Sequence, residues 1–463
     1  MYKFIFLISA LLLIQFIDAD AQRRATTYES LLQRTDNPAS YIDHIVLPAA
    51  DSTGQFTVFF RLDYDLIPFL RKRSDMTAPS EDAEYFAPVR MGIEIFEGSA
   101  RNSRRSSSSI SIFRDSWQDT IWVNTFEETK SRFDHVQSYI SSANLKPGDY
   151  HYELQLTRGG SINEQSSTRR NFTVEDPGEY KKARFNLLND VTLTDNTLQA
   201  SLLNYSNNVL YGQNYELLIQ IPQEYMETDS LNLNLYQIPA GGNEESPGEL
   251  SYNTTLDDSH FIHLSDITFF RNDGHISFNA NVLESAYGYI LVSIPNAEFE
   301  NSRYRIELVK DGLDEPIGQR LINSQWLDMP VSLYNLDIAI QMMKFIMSDQ
   351  ELREINSGSS SEKERKFRDF WSQRDPTPES EFNELMTEYY QRIDFAYTNF
   401  TSMQQPGYDT DQGEAYILYG PPSNIERRLP TNAPTREIWS YPNRTLVFEA
   451  TTGFGDFKLI SES

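Results

Sequence analysis

Gly407-Tyr408-Asp409-Thr410-Asp411 decides the fold of the C-terminal part of the chain, because this short polar stretch separates two regular elements. Before it, residues 378–400 carry apolar side chains at spacings of three and four, the pattern of an amphipathic helix. After it, residues 414–419 are predicted as a strand that ends in the turn Tyr419-Gly420-Pro421-Pro422. The sequence therefore predicts that residues 407–413 form a loop that fixes the entry to a sheet.

The start of the helix is marked by two prolines. Pro376 disfavours a helical conformation at Asp375, and Pro378 suits the first helical position, where a backbone N–H would have no partner. Thr377 lies between them and has a side chain that can cap the first turn. We therefore expect the helix to begin at Pro378 with Thr377 as its cap.

The loop has two interpretations. In the first it is architectural: Asp409, Thr410 and Asp411 hydrogen-bond the backbone amides of a tight turn, and Gly413 adopts a positive φ at low cost. In the second, the same side chains project into a groove between the helix and the sheet and bind a partner. The candidate binding residues are Tyr408, Asp409, Thr410 and Asp411, with the aromatic residues Tyr389, Tyr390 and Trp371, while the structural candidates are Gly407, Gly413, Gly420, Pro421 and Pro422.

This arrangement resembles the bacterial GWxTD-domain family, which is named after a Gly-Trp-x-Thr-Asp pentapeptide followed closely by a Tyr-Gly-Pro-Pro turn. Tyr408 stands where the family has Trp. Further shared features are Asp375-Pro376-Thr377-Pro378, the Tyr389-Tyr390 pair and Gly453-Phe454-Gly455, so the resemblance spans residues 367–459. The family has no established activity. The resemblance therefore implies a domain and a bacterial setting rather than a reaction.

The rest of the chain is predicted to be mainly β. Short β-rich runs separated by turn signals favour two immunoglobulin-like antiparallel sandwiches, over residues 22–176 and 177–328. Leu231, Leu233 and Leu235 alternate with asparagines, which is typical of a strand with one buried face. One large sandwich over both regions is the alternative. From residue 329 to 463 the pattern becomes helical and then β again, which predicts an α+β domain with three helices on a small antiparallel sheet.

The N-terminus has the pattern of a secretory signal peptide over residues 1–21. Lys3 precedes an apolar run at residues 4–17, which is shorter than the roughly twenty residues that span a bilayer. Ala19-Asp20-Ala21 fits a cleavage site. We expect an exported chain, periplasmic or at the cell surface, with no membrane insertion after cleavage. Its 40 basic and 67 acidic residues give a net charge of −27, which excludes nucleic acid as a natural partner.

Catalytic chemistry has few candidates. There is no cysteine, and all six histidines precede residue 276, so the C-terminal domain has no imidazole base. Asp409, Asp411 and Gly413 suggest part of a calcium loop, but the EF-hand pattern is incomplete. We therefore expect no metal and no cofactor. The first hypothesis is a non-enzymatic binding or scaffold protein with a protein or glycan partner in the cell envelope. The alternative is a carboxylate-dependent hydrolase of a glycan or peptide, using Asp409, Asp411, Glu414 and Glu437.

Overall fold

The computed structural model is mainly β, with 48% of residues in strands and 21% in helices. It has several antiparallel sheets and a C-terminal region of helices with a small antiparallel sheet, which confirms the predicted fold class. Two compact units are present: a β unit (residues 37–327) and a C-terminal unit (residues 328–463 with the chain before residue 37). The structure describes residues 27–32, 38–49, 52–100, 110–126, 128–131, 134–158, 165–166, 169–176, 182–226, 231–239, 241–243, 245–272, 274–283, 288–402, 404–430, 433–451 and 456–463.

Two stretches named from the sequence lie outside these residues. They are the predicted signal peptide, residues 1–21, and Gly453-Phe454-Gly455. Within the described ranges, no helix combines the length and the apolar character needed to cross a bilayer.

The first half of the β unit is a sandwich of two antiparallel sheets. Its strands are β1 (Ser40–Ala49), β2 (Thr53–Asp63), β3 (Leu70–Arg71), β4 (Tyr85–Glu97), β5 (Ser111–Val123), β6 (His135–Leu145), β7 (Gly148–Arg158), β8 (Gln165–Ser166) and β9 (Arg170–Val174). One sheet has the order β1-β2-β6, and the other is centred on the β4–β7 pair. Tyr150, Tyr152 and Leu154 of β7 share the core with Phe56 and Phe60 of β2, as the alternation in this strand predicts.

The second half combines a closed barrel with a five-stranded sheet. Its strands are β10 (Arg184–Leu193), β11 (Thr197–Leu202), β12 (Asn208–Leu210), β13 (Tyr215–Ile221), β14 (Leu231–Ile238), β15 (Glu249–Leu256), β16 (Phe261–Asn272), β17 (His275–Val282), β18 (Gly288–Ile294), β19 (Arg303–Lys310) and β20 (Gly318–Gln325). The barrel has the order β10-β11-β17-β16-β18-β13, and the sheet has the order β12-β20-β19-β14-β15. Leu231, Leu233 and Leu235 are fully buried in a core that they share with residues of β13, so the predicted single-faced strand is confirmed.

Polar and aromatic contacts join the two halves of the β unit. The Gln137 amide oxygen accepts a hydrogen bond from Asn204 Nδ2 at 3.0 Å, and Tyr139 donates to the Phe269 carbonyl at 2.6 Å. The rings of Phe59 and Phe269 pack edge to face with centroids 5.0 Å apart. The Gln137–Asn204 bond is buried and the other contacts are partly buried, and the two halves together form one compact unit. The division into domains at residues 176 and 328 stays a prediction.

The C-terminal unit packs a layer of helices on a four-stranded sheet. Its elements are α1 (Tyr28–Leu32), α2 (Leu336–Met342), α3 (Asp349–Ile355), α4 (Ser360–Ser372), α5 (Glu384–Phe400), α6 (Asp411–Tyr419), β21 (Asn424–Arg428), β22 (Arg436–Tyr441), β23 (Arg444–Ala450) and β24 (Phe457–Glu462), with 3-10 turns at Val331–Tyr334 and Gly407–Asp409. The strands follow the order β21-β22-β23-β24. Ala415 of α6 packs on Trp439, Leu446 and Phe448 of the sheet, so α6 lies against its inner face.

The predicted start of the long helix is wrong. Helix α5 begins at Glu384 with Asn383 as its cap, because the Asn383 side-chain oxygen Oδ1 accepts from the Met386 N–H at 2.8 Å. The Asn383 amide also donates to the Trp371 carbonyl at 3.0 Å, a buried bond that ties the helix to the end of α4. Thr377 instead lies in a turn in which its N–H donates to Asp375. The helix therefore starts at a cap, Asn383, that was not predicted from the sequence, and a tertiary hydrogen bond to the Trp371 carbonyl holds this cap in place.

The predicted strand at residues 414–419 is also wrong, because these residues belong to helix α6. Ala415 and Ile417 are both buried because this short helix lies between two layers: Ala415 packs on the sheet, and Ile417 packs in the helical core. With Thr410 as the N-cap, its hydroxyl accepts a hydrogen bond from the backbone N–H of Gly413.

Candidate functional site

The motif segment, residues 407–413, is held by two very close backbone approaches. A Cβ atom placed on Gly407 would lie 1.9 Å from the carbonyl oxygen of Ala396 in α5. A Cβ atom on Gly413 would lie 1.8 Å from the carbonyl oxygen of Gly407. Neither residue has a positive φ, so the prediction for Gly413 is wrong. Both glycines are needed because the chain crosses itself without room for a side chain.

Thr410 joins the turn to helix α6. Its hydroxyl donates to the Gly407 carbonyl at 2.7 Å and accepts from the Gly413 N–H at 2.9 Å. The residue is buried and forms the N-cap of the helix. A single side chain therefore satisfies a carbonyl of the turn and an amide of the first helical turn, which otherwise has no partner within the helix.

The two acids of the motif reach in different directions. The Asp409 carboxylate pairs with Lys344, in the 3-10 turn after α2. Asp411 Oδ1 lies 2.9 Å from Lys458 Nζ, and its Oδ2 accepts from the Leu459 N–H at 2.8 Å. Asp411 therefore ties the start of α6 to β24, whereas Asp409 ties the turn to the helical layer. Neither acid bonds the amides of its own turn, which corrects that part of the architectural interpretation.

Tyr408 points into the helical core. Its ring stacks against Tyr397 of α5 with centroids 5.9 Å apart and packs edge to face on Tyr28 of α1 at 5.5 Å. The Lys344 ammonium lies 5.4 Å from the centre of the same ring. Tyr408 is therefore a buried aromatic residue that contacts three separate segments: α1, α5 and the turn that contains Lys344.

The other aromatic candidates share this core. Trp371, Tyr389 and Tyr390 are buried, and the two tyrosine hydroxyls donate to the carbonyls of Met342 and Ala339 at 2.6 and 2.8 Å. The structure gives these side chains a packing role, since none of them reaches the surface. A binding role for the candidate residues stays a prediction, and Asp409 is the candidate most accessible to solvent.

Glu437 is a buried carboxylate whose charge is compensated on several sides. It accepts from Gln412 Nε2 at 2.7 Å, Trp439 Nε1 at 3.3 Å and Arg427 Nε at 2.8 Å. The Gln412 bond connects α6 to the centre of the sheet. Together with Asp409 and Asp411, Glu437 thus belongs to a set of acids that each bond a different cation. Among the described residues, no group of three or more His, Cys, Asp or Glu side chains is placed to hold a metal ion.

Gly420 ends helix α6. It adopts a φ of +76°, and its carbonyl accepts from the Tyr441 hydroxyl at 3.1 Å. Arg392 of α5 donates to the Ile417 carbonyl at 3.2 Å, which satisfies another group at the C-terminus of α6. Pro421 and Pro422 follow and prevent the helix from continuing.

Sequence reasoning missed an acid on the apolar side of α5. Asp394 accepts a hydrogen bond from the Tyr28 hydroxyl and another from the Val331 N–H at 2.7 Å. Burial raises the pKa of Asp394 to about 6. Its place one turn from Tyr390 and Tyr397 was the available signal, because an acid there interrupts the apolar stripe of the helix.

We expect Gly407→Ala and Gly413→Ala each to lower the free energy of unfolding of the C-terminal unit by about 3 kcal/mol, because backbone atoms occupy the space of the new methyl group. Helix propensity alone predicts the opposite sign at Gly413, a gain of about 1 kcal/mol. Denaturant unfolding followed by amide exchange of α5 measures the change. Gly92→Ala is the control, since its added Cβ would meet no atom closer than 3.7 Å. A neutral or stabilising Gly413→Ala would contradict the close contact.

We expect Tyr28→Phe to destabilise the C-terminal unit more at pH 8 than at pH 5. The raised pKa of Asp394 means that its contribution to stability is complete at low pH and is lost as the pH rises through about 6. Above that pH the carboxylate is charged and needs the Tyr28 hydroxyl, whose removal costs about 1–3 kcal/mol. The charged groups Glu29, Asp409 and Lys344 lie near the neighbouring Tyr408 ring, which packs on Tyr28.

Amide exchange of α5 at both pH values measures this difference. Tyr419→Phe, at a residue that is 37% exposed, is the matched control in the same unit. An equal loss for Tyr28→Phe at pH 5 and pH 8 would show that the hydroxyl does not serve the ionised Asp394.

Residues 331–456 match the family model of the GWxTD domain. The match begins at Val331, whereas the resemblance in the sequence was placed from residue 367 onwards. It thus includes α2 and Lys344, the partner of Asp409. A comparison with curated proteins found no match. The C-terminal part of this chain is therefore a GWxTD domain.

Proposed function

We propose that the protein is an exported, non-enzymatic binding or scaffold protein of the bacterial cell envelope, and that its GWxTD domain is the binding module. The signal-peptide pattern at residues 1–21 supports export. The observation that supports the non-enzymatic role is that the candidate catalytic acids bond other elements of the same domain. Asp409, Asp411 and Glu437 are each held by a different cation, so they serve the fold rather than a shared reaction centre.

The sheet of the domain offers a surface for a partner at β21. Both edge strands of this sheet are largely exposed, but they differ in their backbone: at β24 the Leu459 N–H is taken by Asp411, whereas β21 is the opposite edge, where all residues are exposed. Ile425 is 52% exposed, and Leu429, just beyond the strand, is 75% exposed. An open strand edge presents alternating N–H and carbonyl groups, which match an extended peptide better than a sugar. The proposed partner is therefore a protein that adds a strand at β21.

The test is recovery of a partner from envelope fractions by the tagged full-length chain. We expect Ile425→Asp to lose a protein that the wild type captures, because a charge at this edge opposes strand addition. Leu250→Asp is the matched control, since Leu250 lies on a strand of the β unit and is also 52% exposed. Equal recovery with all three chains would contradict binding at β21, and retention of the chain in the cytoplasm would contradict export.

A further inference from the structure

The C-terminal unit is built from two parts of the chain that are far apart in sequence. Tyr28 in α1 bonds Asp394 in α5, 366 positions further along. Both Tyr28 and Leu31 are buried in the helical core. All other residues of this core lie between positions 331 and 417, so α1 is a separate segment that inserts two side chains into the core of the domain.

The pocket around Tyr28 is lined by side chains of the GWxTD domain. The Tyr28 ring lies 4.7 Å from the Tyr397 ring and 5.5 Å from the Tyr408 ring, measured between centroids. Its hydroxyl donates to Asp394 Oδ1, while the Val331 N–H holds the other carboxylate oxygen. Two aromatic walls with an acid at the end select a side chain that is aromatic and carries a hydroxyl.

The inserted segment is preorganised by its own hydrogen bonds. The Thr27 hydroxyl accepts from the Ser30 N–H at 3.2 Å, and the Ser30 hydroxyl donates to the Thr27 carbonyl at 2.7 Å. Glu29 and Ser30 are exposed, whereas Tyr28 and Leu31 face inward. The segment therefore carries its own cap and presents one tyrosine and one leucine at helical spacing.

We propose that Val331, Asp394, Tyr397 and Tyr408 form a peptide-binding site for a short helix that carries a tyrosine and, three positions later, a leucine. Its resident ligand is the chain's own segment at residues 27–32. Tethering gives this segment an effective concentration of order mM, so the intact chain keeps the site filled. The site becomes available to the same segment offered in trans once the tether is cut. This inference does not depend on the partner proposed for β21.

The experiment uses the full chain with a protease recognition sequence inserted between Leu32 and Ser40. After cleavage, the protein is mixed with a fluorescent peptide of residues 24–34, and uptake is followed by anisotropy. We expect saturable uptake by the cleaved chain and none by the intact chain at the same peptide concentration. A Tyr28→Phe peptide should bind about 10-fold more weakly, because it leaves the Asp394 carboxylate without its donor. A scrambled peptide of the same composition is the control.

Two results would overturn the proposal. One is no uptake by a cleaved chain whose α5 amides remain protected from exchange. The other is equal affinity for the Tyr28 and Phe peptides. If cleavage destabilises the domain, recovery of amide protection on adding excess peptide supports the site, and no recovery contradicts it.

Discussion

The close backbone crossing at Ala396, Gly407 and Gly413 is the constraint on which the GWxTD domain depends. It places the 3-10 turn directly on α5, and the direction of α6 follows because Thr410 bonds both the turn and the first helical turn. With α6 placed on the sheet, Asp411 accepts a hydrogen bond from the Leu459 N–H of β24, and Gln412 donates one to Glu437 of β22. Each of these polar contacts therefore depends on the short backbone distances that only glycine allows at positions 407 and 413.

Charge in this domain is used to connect elements. Lys344, Lys458 and Arg427 pair with Asp409, Asp411 and Glu437 respectively, and every pair joins residues that are distant in sequence or on different strands. Exposed ion pairs contribute little on their own, but Asp411 and Glu437 also accept hydrogen bonds from neutral donors. Removing one partner would leave a carboxylate without its donors, which costs more than the pair contributes. An acidic motif can thus be required by the fold without taking part in a reaction.

The sequence correctly predicted structure where apolar side chains repeat at a short, regular spacing. The alternation at Leu231, Leu233 and Leu235 identified a buried strand, because successive side chains of a strand point to opposite faces. Local rules gave the wrong start for the long helix: Thr377 is a suitable cap residue by type, but α5 is capped by Asn383, which also bonds the distant Trp371 carbonyl. The contact between Tyr28 and Asp394 had no local pattern, since 366 positions separate the two residues. At the site, Gly407 and Gly413 are required by the proximity of backbone atoms rather than by a positive φ, whereas Gly420 does adopt a positive φ.

The most direct test of the central claim is the amide exchange rate of Gly413 in the full-length protein. This N–H lies in the first turn of α6, where its hydrogen bond to Thr410 Oγ1 is the one that links helix and turn. If the crossing holds the domain together, Gly413 will exchange as slowly as the central amides of α5, through unfolding of the whole unit. Exchange of Gly413 at the rate of an exposed loop, while α5 stays protected, would contradict the claim.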